Sequence, residues 1–474
     1  MYGVIIEEGP QDWQIIQQRD GFARIRLAGR VEVPDVGADQ QPLVMLRAVD
    51  EADGTRVIPP VFVPPAGGRW EAELRLPAGG PYTIESCLRY NPVQEKRGDR
   101  LFHIGVGDVY VIAGQSNAMG VGKDLADDPP ALGVHMFRTQ GRWDLAAHPL
   151  HDGTGTRFPA SLERVQTGHS PWLSFAKRLR RVLGYPIGLI PAAMGGVPLS
   201  AWDRAEDGRL FDNMREMVAA AGTQVKGILW IQGCSDTHGD PARSRYFERF
   251  RRVCADLGTV FYEGIPILTA QLNKITCTKD VDVVQYGRNW AALREQQRRA
   301  MNELPQVYMI PTIDLPVCDG IHNGVCSNIV IGERMANLAL GKVYGRDVVC
   351  EAPNLQRAVQ EGDTGVRLWF RNVYDRLFAD CNRVETQMFT VWDDEGTVGL
   401  VDYLCPGDRT IRLTLERPLG KHARVGCRGY NETGLMPYDL YSYLPVIPFD
   451  DVAVEPDPAR DDRVEDAGVG CRRR

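Results

Sequence analysis

The sequence lacks several features that define whole classes of protein. Its apolar runs, such as residues 228–231, fall far short of the roughly 20 residues that a membrane-spanning helix needs. The formal net charge is −7, so the chain has no basic excess of the kind on which non-specific nucleic-acid binding depends. Eleven cysteines are scattered without paired spacing, which argues against a disulfide framework. We therefore expect neither nucleic acid nor membrane as a partner.

The first residues also lack a targeting signal. Residues 1–8 contain no basic segment followed by an apolar core, so no signal peptide is expected. Together with the unpaired cysteines, this favours a reducing, cytoplasmic location. Secretion is the alternative if a leader has been removed.

What is present is the composition of a soluble globular protein. Of the 474 residues, 43% are hydrophobic and 25% are charged. A chain of this length is expected to fold as two to four domains. Residues 1–106 alternate apolar with polar side chains in stretches bounded by Gly and Pro, as at 22–27 and 70–76. This period of two is typical of strands and predicts an N-terminal β-sandwich domain.

From residue 107 to 344, short continuous apolar runs alternate with amphipathic stretches. Continuous runs are typical of strands that are buried on both faces. Strands that alternate with helices predict an α/β domain, with a parallel sheet covered by helices on both sides. The predicted strands are 109–113, 187–190, 228–231, 265–268 and 307–310, and the predicted helices are 171–183, 288–304 and 328–341.

After residue 345 the alternating pattern returns. It is clearest at 366–370, 389–392 and 411–415, and it predicts a C-terminal β-rich domain over residues 345–456. Residues 457–474 are dense in Asp, Arg and Glu, which predicts a mobile charged tail.

Residues able to do chemistry follow the first and last predicted strands of the α/β region. The carboxyl ends of such strands form the edge where open parallel sheets bind ligands. Ser116 lies in the segment Gly-Gln-Ser-Asn after the first strand, and Asp319-Gly-Ile-His322 follows the last. A serine nucleophile needs a base that is oriented by a carboxylate, and a spacing of three lets one loop present both groups. Taken singly, each segment is equally consistent with an ordinary turn or a helix N-cap.

Two other strand ends supply candidate hydrogen-bond donors. Gly195 and Gly196 follow the strand at 187–191, and paired glycines allow a ligand to approach the backbone closely. Gln232 follows the strand at 228–231 and offers a side-chain amide. Each alone is more typical of a plain turn. The four strand ends together, on one edge of one sheet, favour a catalytic site over four ordinary turns.

This combination resembles the SGNH-hydrolase superfamily and, within it, the sialate O-acetylesterase family. The resemblance spans nearly the whole chain, because it includes an N-terminal stretch and the chain end as well as the catalytic region. The segments that carry it are 77–82, 107–117, 186–196, 230–233, 319–322, 332–336 and 443–449.

The resemblance implies a flavodoxin-like α/β/α esterase domain flanked by β-rich domains, with acetylated carbohydrates as substrates. It implies Ser116 as nucleophile, His322 as base and Asp319 as the partner of His322. The oxyanion hole would be formed by the N–H of Ser116, an N–H of Gly195 or Gly196, and Gln232. The neighbours of these residues in the motifs are expected to contact substrate: Gln115, Asn117, Cys234 and Asp236.

The expected reaction is a two-step acyl transfer that forms an acetyl-enzyme, releases the sugar hydroxyl and then hydrolyses. Neither a cofactor nor a metal is expected. A neutral histidine base predicts activity that rises through roughly pH 6–7. The sugar, the position of its acetyl group and the oligomeric state are left open by the sequence.

One position departs from the family pattern. The family usually reads Gln-Gly-Glu-Ser-Asp at the third strand end, whereas this chain has Cys234 in place of the glutamate. A thiol supplies neither the charge nor the acceptor capacity of a carboxylate. We expect activity to survive and substrate positioning or preference to change.

Three alternatives compete with this interpretation. An ordinary α/β-hydrolase requires Gly-x-Ser-x-Gly, but the last position here is Ala118. A metal-dependent hydrolase could use cysteine and histidine at four-residue steps, although glycines within the segment make a helix there improbable. A non-catalytic carbohydrate-binding protein on the same scaffold could use exposed aromatic residues, although such aromatics more often pack in a core. The metal site would draw on Cys234, His238, Cys318, His322 and Cys326. The carbohydrate-binding protein would use Trp202, Trp369 and Trp392.

Overall fold

The computed structural model describes residues 3–32, 41–90, 95–163, 167–239, 244–276, 283–380, 388–427 and 436–457. These residues form two compact units. The first contains residues 1–230, 253–267 and 328–336, and the second contains 231–252, 268–327 and 337–474. The predicted charged tail lies outside the described residues from residue 458 onwards.

The N-terminal part of the first unit is built from β-strands, as predicted. Along Phe22–Glu32 and Arg69–Pro77, buried and exposed side chains alternate, because one face of the sheet covers the core and the other faces solvent. Strands β1, β3 and β6 form one sheet, and one apolar cluster joins this sheet to strands β4, β7 and β8. The strands are β1 (Gly3–Glu8), β2 (Ile15–Gln17), β3 (Phe22–Glu32), β4 (Leu43–Asp50), β5 (Val61–Val63), β6 (Arg69–Pro77), β7 (Gly79–Arg89) and β8 (Glu95–Gly114).

Strand β8 is 20 residues long and passes through the domain boundary predicted at residues 106 and 107. Its first half is largely exposed or half-buried and pairs antiparallel with β7, whereas every residue from Ile104 to Gly114 is buried. The buried half pairs in parallel with β11, and β11 pairs in parallel with β9. The strands that follow in the first unit are β9 (Val134–Arg138), β10 (Arg142–Leu145), β11 (Ile187–Pro191) and β12 (Gly227–Ile231).

The expectation of a parallel sheet was wrong for part of this sheet. In the first unit the strand order is β10-β9-β11-β8-β12, and β10 runs antiparallel to β9. These two strands form a hairpin closed at Gly141, whose φ of +81° is readily adopted by glycine. The sheet is therefore mixed. In the second unit, β13 (Ile267–Ala270) and β14 (Val307–Ile310) are neighbours.

The predicted helices are confirmed with small shifts at their ends. Helix α2 buries Trp172, Phe175 and Leu179 and ends at Gly184, whose left-handed conformation (φ +79°) lets its N–H donate to the carbonyl of Arg180. The helices are α1 (Ser116–Met119), α2 (Trp172–Leu183), α3 (Arg209–Ala220), α4 (Tyr246–Val260), α5 (Val283–Glu303) and α6 (Val325–Lys342), with short 3₁₀ turns at Pro159–Ser161, Leu199–Ala201 and Cys234–Thr237. Within the described residues, no helix combines the length and apolarity needed to cross a bilayer.

The C-terminal part of the second unit is an eight-stranded sheet with its own apolar core, in the order β19-β18-β22-β24-β15-β16-β21-β20. The three strands predicted here are confirmed as β16, β18 and β21. A separate two-stranded ribbon consists of β17 and β23. The strands are β15 (Asn354–Glu361), β16 (Gly365–Arg371), β17 (Leu377–Phe378), β18 (Phe389–Asp393), β19 (Gly396–Val398), β20 (Leu400–Leu404), β21 (Thr410–Leu415), β22 (Arg424–Cys427), β23 (Tyr438–Asp439) and β24 (Val452–Glu455).

Candidate active site

Ser116 lies in a tight strand-to-helix turn at the end of β8. The N–H groups of Ala118 and Met119 both donate to the carbonyl of Gln115, at 2.8 and 2.9 Å, so Ser116 opens the single turn of α1. Its side chain is only 8% exposed, and its neighbours Gln115 and Asn117 are buried with it. The indole N–H of Trp172, in α2, donates to the carbonyl of Ala118 at 2.6 Å and so stabilises the turn. This hydrogen bond fixes the backbone of the turn that carries Ser116.

The glycines expected to supply an oxyanion donor lie in the same unit as Ser116. The N–H of Ala192 donates to the carbonyl of Ile112 at 2.8 Å, and the N–H of Met194 donates to the carbonyl of Gly114 at 3.2 Å. The chain after β11 therefore runs beside the end of β8, and Gly195 and Gly196 follow directly. The ends of β8 and β11 therefore lie side by side, and the role of the two glycines as oxyanion donors stays a prediction.

A carboxylate already contacts one of these glycines. The N–H of Gly195 donates to Oε2 of Glu163 at 3.0 Å. A Cβ atom placed on Gly195 would lie 2.6 Å from that oxygen and 3.5 Å from Cε of Met119, the last residue of α1. A side chain at position 195 would therefore displace the Glu163 carboxylate, which lies close to the side chain of Met119 at the end of α1. The sequence analysis missed Glu163, because it lies in a long irregular segment without periodicity or motif.

The second unit brings Asp319 and His322 together, as their spacing predicts. Nδ1 of His322 lies 2.8 Å from Oδ2 of Asp319. The other carboxylate oxygen, Oδ1, accepts the N–H groups of Ile321 and His322 at 2.9 and 2.8 Å. The carboxylate is half-exposed and the imidazole is mostly buried. These contacts fix the orientation of the imidazole ring relative to the Asp319 carboxylate.

The charge of Asp319 is fixed by the same contacts. Burial raises the pKa of this carboxyl group, but hydrogen bonds from Ile321 and from the ring and N–H of His322 lower it more, so the net pKa is below its usual value. An aspartate with an ordinary or lowered pKa is ionised at any pH above about 4. Asp319 is therefore a carboxylate throughout the pH range in which an imidazole titrates.

The loop that carries these two residues is held by the segment after β13. The side-chain amide of Asn273 donates to the carbonyl of Ile321 and to Oδ1 of Asn323, both at 2.9 Å. Asn273 is held in turn, since its carbonyl accepts the indole N–H of Trp290 at 2.6 Å and a guanidinium N–H of the fully buried Arg294 at 2.5 Å. Sequence reasoning missed this support, because Asn273 belongs to no motif.

The third strand end places Gln232, Cys234 and Asp236 in a buried turn. The side-chain N–H of Gln232 donates to Oδ2 of Asp236 at 2.5 Å, and both residues are completely buried. Arg249 lies 3.9 Å from the other carboxylate oxygen of Asp236. Cys234 is 5% exposed, and its carbonyl accepts the hydroxyl of Thr237 at 2.7 Å. The structure thus pairs the predicted Gln232 and Asp236 within one turn.

A cluster of titratable residues that the sequence did not predict lies in the first unit. Oδ2 of Asp128 lies 3.1 Å from Nε2 of His148 and 3.0 Å from Nε2 of His169, and its other oxygen accepts the ammonium of Lys177. Burial raises the pKa of Asp128, but its hydrogen bonds to His148, His169 and Lys177 lower it well below its usual range. Asp128, His148 and His169 are separated by 20 or more positions, and Lys177 lies on α2. No short sequence spacing therefore indicates that the four side chains meet.

Among the described residues, Asp128, His148 and His169 are the group with the composition and proximity to hold a metal ion. Two observations favour a hydrogen-bonded cluster. Lys177 already neutralises the carboxylate, and the N–H of Ser170 points to Nδ1 of His148 at 3.4 Å, which leaves the ring hydrogen on Nε2. The cluster lies close to the segment that follows α1, because the backbones of His169 and Gly122 exchange hydrogen bonds.

The cysteine and histidine residues considered as an alternative metal site have other contacts. The N–H of Cys318 donates to the carbonyl of His322 at 2.8 Å, and its sulfur lies 3.7 Å from the carbonyl of Asn323. The ring of His238 contacts the hydroxyl of Tyr286. Of the three tryptophans considered for glycan binding, Trp202 is fully buried against Trp230, whereas Trp369 is 37% exposed.

Comparison with known proteins gives consistent matches. Residues 106–341 match the family model described as "carbohydrate esterase, sialic acid-specific acetylesterase". A probable carbohydrate esterase of Arabidopsis thaliana is 27% identical over 149 aligned residues, which cover 27% of this chain and 54% of that protein. The chain thus spans about half the length of this curated relative.

Solved structures extend the likeness to nearly the whole chain. A carbohydrate acetylesterase from Xanthomonas citri is similar with a TM-score of 0.62 and 22% identity, over 93% of this chain and 98% of that one. At this identity the similarity shows a shared fold. A protein from Arabidopsis thaliana is similar with a TM-score of 0.43 and 22% identity, over 50% of this chain and 98% of that one.

Proposed function

Because residues 106–341 belong to the carbohydrate esterase family of sialic acid-specific acetylesterases, we propose that this chain is a serine esterase that hydrolyses acetyl esters on carbohydrates. The observation that carries the serine mechanism is the 2.8 Å contact between Asp319 and Nδ1 of His322. A carboxylate that fixes an imidazole in this way is the orienting half of a catalytic triad. We also assign the α/β region to the flavodoxin-like SGNH core, which the strand order around β8 and β11 supports.

In the proposed reaction, His322 takes the proton of Ser116 as the hydroxyl oxygen attacks the acetyl carbonyl. The carbonyl becomes an oxyanion, which the N–H of Ser116, an N–H of Gly195 or Gly196, and the amide of Gln232 stabilise. The tetrahedral intermediate collapses, and His322 returns the proton to the departing sugar oxygen. Water then attacks the acetyl-enzyme by the same steps and releases acetate.

The proposal is tested by acetate release together with labelling of the nucleophile. We expect the purified chain to release acetate from O-acetylated oligosaccharides in the presence of a chelator. We also expect a fluorophosphonate to block this release and to modify Ser116, as located by mass spectrometry of peptides. Failure to release acetate from any acetylated glycan, or stoichiometric labelling of a different serine, would contradict the proposal.

The position of Glu163 suggests which class of sugar is preferred. Its half-buried carboxylate contacts Gly195 beside the nucleophile turn, so it adds negative charge next to the proposed acyl-binding site. O-Acetylated sialic acids carry a carboxylate of their own, and two like charges near each other in a partly desolvated site repel. We therefore propose that neutral acetylated sugars are better substrates than acetylated sialic acids.

Replacing Glu163 by glutamine is expected to weaken this preference. The ratio of kcat/KM for acetylated xylo-oligosaccharides to kcat/KM for O-acetylated sialic acid should fall by about three- to tenfold, since a repulsion of about 1 kcal/mol is removed. Glu216→Gln is the matched control, because Glu216 is exposed on α3 and its loss changes the net charge equally. A ratio that is the same in wild type and Glu163→Gln would refute the assignment.

A further inference from the structure

A group of exposed aromatic side chains surrounds the two-stranded ribbon of the second unit. The exposed fractions are 43% for Tyr374, 39% for Phe378, 66% for Tyr441 and 68% for Tyr443. Tyr438, in β23, lies between them. These five residues are called the aromatic platform below. Large aromatic side chains usually bury most of their surface, so several exposed together mark a binding surface.

Three of the five rings contact one another, with Tyr438 between Phe378 and Tyr443. The ring centroids of Tyr438 and Tyr443 are 5.9 Å apart, and the two planes are nearly parallel, at 21°. The ring of Phe378 meets that of Tyr438 edge-on, with centroids 5.8 Å apart. The hydroxyl of Tyr438 donates to the carboxylate of Asp380 at 3.1 Å. Flat apolar faces thus alternate with hydroxyl and carboxylate groups.

The platform rests on a rigid support. Phe378 pairs with Tyr438 across the ribbon, and Leu377 pairs with the completely buried Asp439. The carboxylate of Asp439 accepts the N–H groups of three residues, Tyr374 and Asp375 on one side and Ser442 on the other, at 2.8 to 3.0 Å. A surface whose side chains are held before a ligand arrives loses less entropy on binding.

Tyr443 lies in a tight turn in which its N–H donates to the carbonyl of Asp439 at 2.8 Å, a position that glycine would fill without strain. Its φ is +56°, a left-handed conformation that costs energy for a bulky residue and favours glycine. A strained residue is usually retained because it packs in the interior or performs a function. With a side chain that is 68% exposed, Tyr443 gains little from burial. The strain therefore points to a function for its exposed ring.

We propose that the aromatic platform binds the glycan chain of a polymeric substrate, by stacking pyranose rings on Tyr441 and Tyr443. The choice of a glycan rests on the proposed function. It is supported by the surface itself, since its exposed large apolar groups are rings, and hydroxyl and carboxylate groups at its margin can bind sugar hydroxyls. The platform would raise the affinity for polymers and leave the hydrolysis of small esters unchanged.

The decisive variant is Tyr443→Gly, because glycine adopts the observed φ without strain. We expect this protein to keep its Tm within about 3 °C of wild type, since the lost ring contact is offset by relief of the backbone. In native gels that contain soluble acetylated xylan or glucomannan, its affinity should fall about tenfold, and Tyr441→Ala should behave in the same way. Phe62→Ala is the control, because Phe62 is 43% exposed on β5.

Kinetics separate this proposal from the proposed function. For Tyr443→Gly we expect KM on acetylated xylan to rise about tenfold, with unchanged kcat and unchanged kcat/KM on 4-nitrophenyl acetate. Wild type that is not retarded by either polysaccharide, or Tyr443→Gly that is retarded equally, would overturn the glycan platform. Retardation that depends on Tyr443 in a protein without esterase activity would support the platform and refute the esterase.

Discussion

Replacing Ser116 by alanine is expected to lower kcat on 4-nitrophenyl acetate by about 10⁴- to 10⁶-fold. The substitution removes the only protein atom that bonds to the acetyl carbon in the proposed mechanism, so His322 and the oxyanion donors remain without an acyl acceptor. In serine hydrolases the members of the triad act as a unit, and loss of the nucleophile alone removes most of the rate. The small ester is the right substrate, because its turnover does not depend on recognition of a sugar.

The control for this variant is Ser200→Ala, which removes a half-buried hydroxyl from the same unit. Its kcat should equal that of wild type. The fold of both variants is checked by Tm, because Ser116 is nearly buried and its turn is hydrogen-bonded to Trp172. Equal turnover by wild type and Ser116→Ala would end the serine-esterase interpretation.

Replacing Asp319 by asparagine is expected to lower kcat by about 10⁴-fold near pH 7. The carboxylate has two tasks in this loop. Oδ1 accepts two backbone N–H groups, and Oδ2 accepts the ring hydrogen of His322. An asparagine can keep the first pair of bonds with its amide oxygen, and its NH₂ group then faces Nδ1. The hydrogen moves to Nε2, and the ring can no longer accept the proton of Ser116.

The measurement is a pH–rate profile of kcat/KM between pH 5 and 9. Because contacts lower the pKa of Asp319, wild type should show no titration of this carboxyl group in that range. Asp314→Asn is a matched control, because Asp314 is an exposed acid five positions earlier in the chain. A loss smaller than about tenfold for Asp319→Asn would show that His322 does not depend on it.

Local contacts explain which parts of the site could be predicted. The pair Asp319 and His322 is three residues apart, so a short loop brings it together whatever the rest of the fold does. The turn at Ser116 directly follows an apolar strand and is equally local. Their convergence depends on distant parts of the chain, and the complete triad stays a prediction.

Long irregular segments explain what was missed. Glu163 and Asp128 lie in irregular segments, and their partners are 20 or more positions away, beyond intervening strands or helices. Neither periodicity nor a motif indicates which of these side chains meet. The hairpin of β9 and β10 was missed for a similar reason, because the turn that closes it depends on the conformation of a single glycine.

The sequence pattern of β8 did not indicate that it is one continuous strand. Along this strand the surroundings change from a half-solvated sheet to a fully buried one at Ile104, so the residue pattern changes although the backbone does not. Because the residue pattern changes within the strand, sequence analysis assigns its two halves to different domains. The boundary predicted at residues 106 and 107 therefore marks a change of environment along one strand.

The length of β8 limits how the domains of this protein could be exchanged during evolution. One continuous strand is paired with β7 over its first half and with β2 at residues 105–107, and it ends at the turn that holds Ser116. Recombination that replaced the N-terminal β region would join two pieces of chain within this strand. The new first half would then have to pair in the correct register with the strands of the new module. A slip of one residue would turn every side chain of the strand to the opposite face. The N-terminal region and the nucleophile turn are thus expected to have been exchanged in evolution as one piece.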